Sequence, residues 1–214
     1  MVRISALVIL LAIMVCILAT TVTANRLITI PTGNTLTTGG IKLEYAANAS
    51  DSDKKIYWAN VGVSRLEVEG ARFAGFTTEQ TDAISVQVSV MPETSFTPAV
   101  AVGIRDISDQ TKDKGLFYDG RSYYAVVSKA VPITGGIPLI FQDVRVHSGI
   151  GTGSLGGVFF GVEGKLPMGL NISGEYDTSD FNFAASYKIV PTIKAKASWI
   201  KGDFFYGANF ATAF

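Results

Sequence analysis

Residues 203–214 read DFFYGANFATAF. Phe204, Tyr206, Ala208, Phe210 and Phe214 share one parity, and the chain stops on an aromatic. Side chains of a β-strand point alternately to opposite faces, so this spacing describes a strand with one continuous apolar face. The same period runs upstream. IKAKASW sets Ile193, Ala195, Ala197 and Trp199 against Lys194, Lys196 and Ser198, and FNFAASYKI sets Phe181, Phe183, Ala185, Tyr187 and Ile189 against Asn182, Ser186 and Lys188. GLNISGEY, AISVQVSV and IKLEYA repeat it, the last with Ile41, Leu43 and Tyr45 opposite Lys42 and Glu44. About 12 strands of roughly 9 to 11 residues follow, the length that crosses a bilayer at a tilt. Their starts fall near Gly40, Lys54, Arg65, Thr81, Thr97, Arg121, Leu139, Gly156, Leu170, Phe181, Thr192 and Asp203.

The connections alternate too. VSR, MPETSFTP, VPITGGIP, KLPMG and IVPT are short or marked by proline, which cannot donate to a sheet ladder. NASDSDK, GFTTEQTD, SDQTKDKGLFYDG, GIGTGSLGG, DTSD and KGD are polar and often longer. Two kinds of connection, each on its own rim, describe an all-β, antiparallel up-and-down transmembrane β-barrel. An even strand count places both termini on the short-turn rim. A soluble secreted β-sandwich that binds a ligand through its polar loops alternates as well. Three features favour the barrel. Tyr45, Tyr123, Tyr176, Tyr187, Trp199 and Tyr206 gather on the apolar faces toward strand ends, where interfacial girdles lie. The opposite faces carry lysine and glutamate, which a wet lumen tolerates. The ending with Tyr206, Phe210 and Phe214 resembles the C-terminal targeting strand that the barrel-insertion machinery recognises.

The first residues set the compartment. MVRISALVILLAIMVCILATTVTA has one charge at Arg3, an apolar run and a small-residue end at Val22-Thr23-Ala24, the pattern of a secretory signal peptide over 1–24. Cys16 follows Val15 inside the apolar run, a poor lipidation site. Residues 25–39 are read as an N-terminal periplasmic segment and 40–214 as the barrel, giving an outer-membrane localisation in contact with outer-membrane lipid. The chain carries 18 basic and 18 acidic residues, so no charge excess points to nucleic acid.

HSGIGTGSLG, residues 147–156, contains G-x-G-x-x-G at Gly151, Gly153 and Gly156. A dinucleotide site needs those glycines between a buried strand and a helix whose N–H groups face the phosphates. The following GVFFGVEGKLPMG alternates like a strand, so the stretch reads as a glycine-rich loop. His147 is the single histidine, and its neighbour Ser148 points to the other face, so the two form no nucleophile–base pair. Parity places Asp143, Arg145 and His147 on the polar face, where Glu163 and Glu175 of the next strands extend a charge ladder across the lumen. No metal-ligand spacing and no cofactor motif occur, SDQTKDKG reads as a solvated loop, and no enzymatic activity is expected.

From about residue 40 to the end, and most strongly from Arg121 onward, the chain resembles the repeated hairpins of YjbH-type bacterial outer-membrane barrels, on GRSYYAVVSKAVP, VRVHSGIGTGSLGGVFFGVEGKLP and LNISGEYDTSDFNFAASYKIVPTIKAKASWIKGDFFYGANF. That resemblance implies an association with exopolysaccharide production and export, and a polysaccharide as partner. The residues themselves point to a structural or narrow-pore role at the cell envelope. A 12-strand barrel lies between filled barrels of about 8 strands and open ones of about 16, so the sequence leaves both pore and scaffold open.

Overall fold

The computed structural model describes residues 26–132 and 140–214. The leader read at 1–24 and the strand start read at Leu139 lie outside the described residues. Twelve strands follow in order: β1 (Gly40–Asn48), β2 (Lys55–Val63), β3 (Leu66–Ala74), β4 (Thr81–Met91), β5 (Ala99–Arg105) and β6 (Ser122–Val131), then β7 (Asp143–Gly151), β8 (Gly157–Lys165), β9 (Leu170–Tyr176), β10 (Phe181–Val190), β11 (Ile193–Ile200) and β12 (Asp203–Ala213). Each pairs antiparallel with its sequence neighbours, and β12 closes on β1 from Gly40↔Ala213 to Asn48↔Phe205. The architecture is one closed barrel and not two packed sheets, so no sheet edge is left open.

Local chemistry sets the returns. Lys201 and Gly202 both take positive φ (49° and 87°), the backbone that a two-residue hairpin between twisted strands requires. Register shifts interrupt β4 between Ser89 and Met91 and β10 between Lys188 and Val190, both on the short-turn rim. The largest departure from the sequence reading is β7, which begins at Asp143. Alternation fails at Gln142, and Phe141 turns to the outer wall, where its ring covers Gly164; a Cβ there would stand 2.6 Å from it. Gly151–Gly156 forms a loop with a single 3₁₀ turn at Gly153–Leu155 and no α-helix, so the arrangement of a dinucleotide fingerprint is absent. Gly153 has φ 62°, a conformation that favours glycine.

Polarity is inverted relative to a water-soluble protein. Outward side chains are apolar and exposed: Ile84 and Val90 are each 53 % accessible, and Val63, Val102, Val127, Val146, Val162 and Phe183 are exposed with them. Inward positions are polar and buried: Asn60 is 0 % and Glu67 1 % accessible, alongside Lys42, Glu44, Glu69, Gln87, Arg105 and Glu175. Tyr45, Tyr57, Tyr123, Trp199, Phe204 and Tyr206 face outward near the long-loop rim, while Tyr187 faces outward near the short-turn rim.

Two segments fill the interior. The loop 106–121 bends inward, so that Leu116, Phe117 and Tyr118 are buried against Phe73 and Phe205. Edge-to-face contacts join Phe73, Phe76, Phe117 and Phe205 into an aromatic seal on the long-loop side. Asp106 ties the loop base, accepting from the Thr111 N–H (2.8 Å) and hydroxyl (2.5 Å). SDQTKDKG is mostly exposed, as its composition predicts, whereas the adjoining Leu116-Phe117-Tyr118 is not. The second filler is the stretch 26–38. Set apart by sequence as periplasmic, it packs inside the lumen, where Ile28, Ile30 and Leu36 are wholly buried. Its approach to the wall needs a residue without a side chain: a Cβ on Gly161 would stand 2.5 Å from Leu27.

Candidate functional site

The lumen is the place where chemistry-bearing side chains converge, and the stretch 26–38 is what they converge on. Glu175 on β9 accepts from three consecutive backbone N–H groups, those of Ile28 (2.9 Å), Thr29 (2.7 Å) and Ile30 (3.3 Å), and from the Thr29 hydroxyl (2.5 Å). Successive N–H groups turned to one side form an anion-binding concavity, and a wall carboxylate occupies it. Arg105 on β5 donates to the Thr29 carbonyl (2.5 Å), and Gln87 on β4 donates to the carbonyls of Thr32 and Asn34 (3.0 Å each). Ser128 on β6 accepts from the Gly33 N–H (2.7 Å), and Glu67 on β3 from the Leu36 N–H (2.7 Å). A buried backbone needs its donors and acceptors met, and here wall side chains meet them in place of strand neighbours. The segment is a plug.

Arg26 anchors the inner end of the plug. Its guanidinium bonds to Glu69 on β3, pairs with Glu44 on β1 (3.1 Å) and lies 4.1 Å over the Trp58 ring. Glu44 also pairs with Lys196 (2.6 Å) and Lys42 (3.4 Å); Glu69 also accepts from Asn60 (3.0 Å) and the Tyr118 hydroxyl (2.9 Å). Burial, reinforced by the Glu69 carboxylate beside it, pushes the Tyr118 hydroxyl up to about 12, so at neutral pH it stays a donor. Arg105 stacks 4.2 Å over Tyr118 and links this network to the plug. Buried charges are tolerated when paired and hydrogen-bonded in this way.

All five lumen residues named from sequence lie on inward parity, but they do not form one ladder. Arg145 meets Glu93 (2.5 Å) and Glu163 (4.0 Å), and His147 Nε2 lies 3.7 Å from Glu163. Asp143 pairs instead with Lys165 (2.8 Å) at the short-turn rim. Glu175 stands apart from all of these, holding the plug. His147 Nδ1 lies 2.7 Å from the Ser128 hydroxyl. The same hydroxyl accepts from the Gly33 N–H, and His147 Nε2, buried 3.7 Å from Glu163, forms no hydrogen bond among the described residues. Hydrogen bonds thus join Gly33, Ser128 and His147, and Glu163 stands beyond hydrogen-bond reach of the ring. Ser128 is 0 % accessible beneath the plug, and these contacts hold the plug at Gly33.

Alternation places Lys42, Glu44, Gln87, Lys194 and Lys196 on a polar face without marking a site, and no motif singles out Arg26, Glu67, Glu69 or Arg105. Inward parity was the available signal for the wall residues; nothing in the sequence paired them with the plug. Of the C-terminal residues, Tyr206 and Phe214 are exposed and Phe210 is half-buried. No cluster of three or more His, Cys, Asp or Glu suited to a metal occurs among the described residues. Nor is any described helix long and apolar enough to cross a membrane. No protein-family model matches the chain, and no curated protein matches it.

Proposed function

We propose that this chain is an outer-membrane β-barrel with a structural role at the cell envelope, its lumen closed by its own N-terminal segment. The observation that carries the reading is the inverted polarity of the wall. An outward Val, Leu, Ile or Phe left in water forgoes about 1.5–3 kcal/mol of burial, and the exposed band contains many of them. In lipid the same band is satisfied, and a closed barrel meets every strand N–H and C=O without an edge.

The filled interior favours a scaffold over a conduit. The plug blocks the middle of the lumen and the aromatic seal blocks its long-loop side. With the described interior filled in this way, the exopolysaccharide link implied by the resemblance to YjbH-type barrels is read as that of an envelope component beside the export route. Planar-bilayer recording of the detergent-folded protein tests both halves. Insertion without steady conductance is expected. A steady ohmic conductance overturns the scaffold reading, and failure to enter any bilayer overturns the membrane reading.

A further inference from the structure

The outer wall carries a groove of about 1080 Å³ that runs over β1–β4 and reaches Ile193 of β11 and Ala208 and Phe210 of β12. Its floor is the cross-strand pair Ala59↔Gly70, flanked by Leu43 and Ile84 in the same register row. The row toward the long loops runs Tyr45, Tyr57, Arg72, Asp82. The tyrosines are close (ring centroids 5.2 Å) and belong to the outward aromatic girdle. Beside them, at the same height, an ion pair replaces the aromatic. Arg72 holds Asp82 through Nε (2.7 Å) and Nη2 (2.8 Å), and both side chains remain more than half accessible (54 % and 57 %). Lys55 and Asp53 line the same mouth, and Lys55 forms no ion pair among the described residues.

We infer that this groove is a lipid site, and that its ligand is a bilayer lipid whose headgroup bears both a phosphate and a primary amine. The inference rests on the membrane reading above. An outward arginine is costly in the hydrocarbon and tolerated at the interface, so the ion pair lies at headgroup height, where the tyrosine girdle also lies. Two cations and two carboxylates at one mouth match a zwitterion in both signs. Arg72 spends two N–H groups on Asp82 and keeps the rest of its planar fork for phosphate oxygens, with Lys55 beside it. Asp82 and Asp53 accept from the ammonium. The small floor admits an acyl chain below. A purely anionic headgroup would leave both carboxylates opposed by like charge.

The test uses the full-length protein, delipidated in detergent and offered phosphatidylethanolamine, phosphatidylglycerol or phosphatidylcholine of identical acyl chains, with retained lipid counted by native mass spectrometry. Phosphatidylethanolamine should be retained about tenfold better than either competitor, as the loss of one charge-assisted bond implies. Arg72→Leu combined with Asp82→Leu should erase the preference, while Lys55→Gln, which spares the ion pair, should weaken it. Each variant's folding is confirmed by its faster migration unboiled than boiled. Equal retention of the three lipids by a folded barrel, or a preference unchanged in the double variant, overturns the lipid site and leaves the barrel standing. A chain that dissolves without detergent and shows no migration shift overturns the membrane reading instead.

Discussion

Glu175 shows how much one inward carboxylate can hold. Three backbone N–H groups of the plug end on it. Glu175→Ala therefore leaves buried donors unpaired and should destabilise the folded barrel by about 3 kcal/mol, with faster hydrogen exchange at Ile28, Thr29 and Ile30. Urea titration in micelles and exchange mass spectrometry check both, and unchanged exchange at those amides contradicts the account. A second carboxylate acts outside the strands. Burial pushes Asp177 up, but the N–H groups of Asp180 and Ser179 and the Asn182 amide outweigh it and hold it below its ordinary value. A depressed carboxyl contributes stability that is present above the unfolded value of about 4 and lost as pH falls through the folded one. The β9–β10 return should thus loosen below about pH 4, seen as faster exchange at Asp180, and Asp177→Asn should flatten that dependence. The inward position of Glu175 was legible from strand parity alone. Its partners were not, because they lie 145–147 residues away in sequence and the plug carries no period of its own.

At the scale of elements, the strands were readable and the fillers were not. Gly40, Thr81, Leu170, Phe181 and Asp203 begin strands where alternation places them, because an outward residue and its neighbour facing a polar lumen differ sharply in hydropathy. β7 slips because Phe141, inward by parity, finds a better seat on the bare backbone of Gly164 outside. RLITIPTGNTLTT reads only as a segment outside the strands, since apart from the Arg26 guanidinium and the Thr29 hydroxyl the polar groups that bind it are mainly its backbone N–H and C=O, which every sequence shares. The plug's role has a direct test. Ser85 lines a small cavity of about 20 Å³ together with Arg26 and Pro31, and the mature chain read from the leader pattern holds no cysteine. Ser85→Cys should resist a water-soluble maleimide in the folded protein. Replacing residues 26–36 by a glycine–serine stretch of equal length should make the same thiol react freely. Equal reactivity in both would mean that the plug does not close the lumen.

For the whole molecule, the decisive property is the inversion of inside and outside. Alternation gave two faces per strand without saying which was inner; closure into a barrel assigns the polar one to the lumen. Val146 sits mid-strand on the outward face of β7 and is 42 % accessible. In lipid, Val146→Arg should cost about 2–4 kcal/mol, whereas on a water-exposed wall it would cost almost nothing. Folding yield into phospholipid vesicles distinguishes the two. The most direct measurement is heat-modifiability after membrane fractionation, with unboiled and boiled samples run side by side in SDS. A closed barrel has no free edge at which unzipping can start, so the account predicts an outer-membrane band that runs faster unboiled than boiled. A soluble-fraction band with no shift would contradict it.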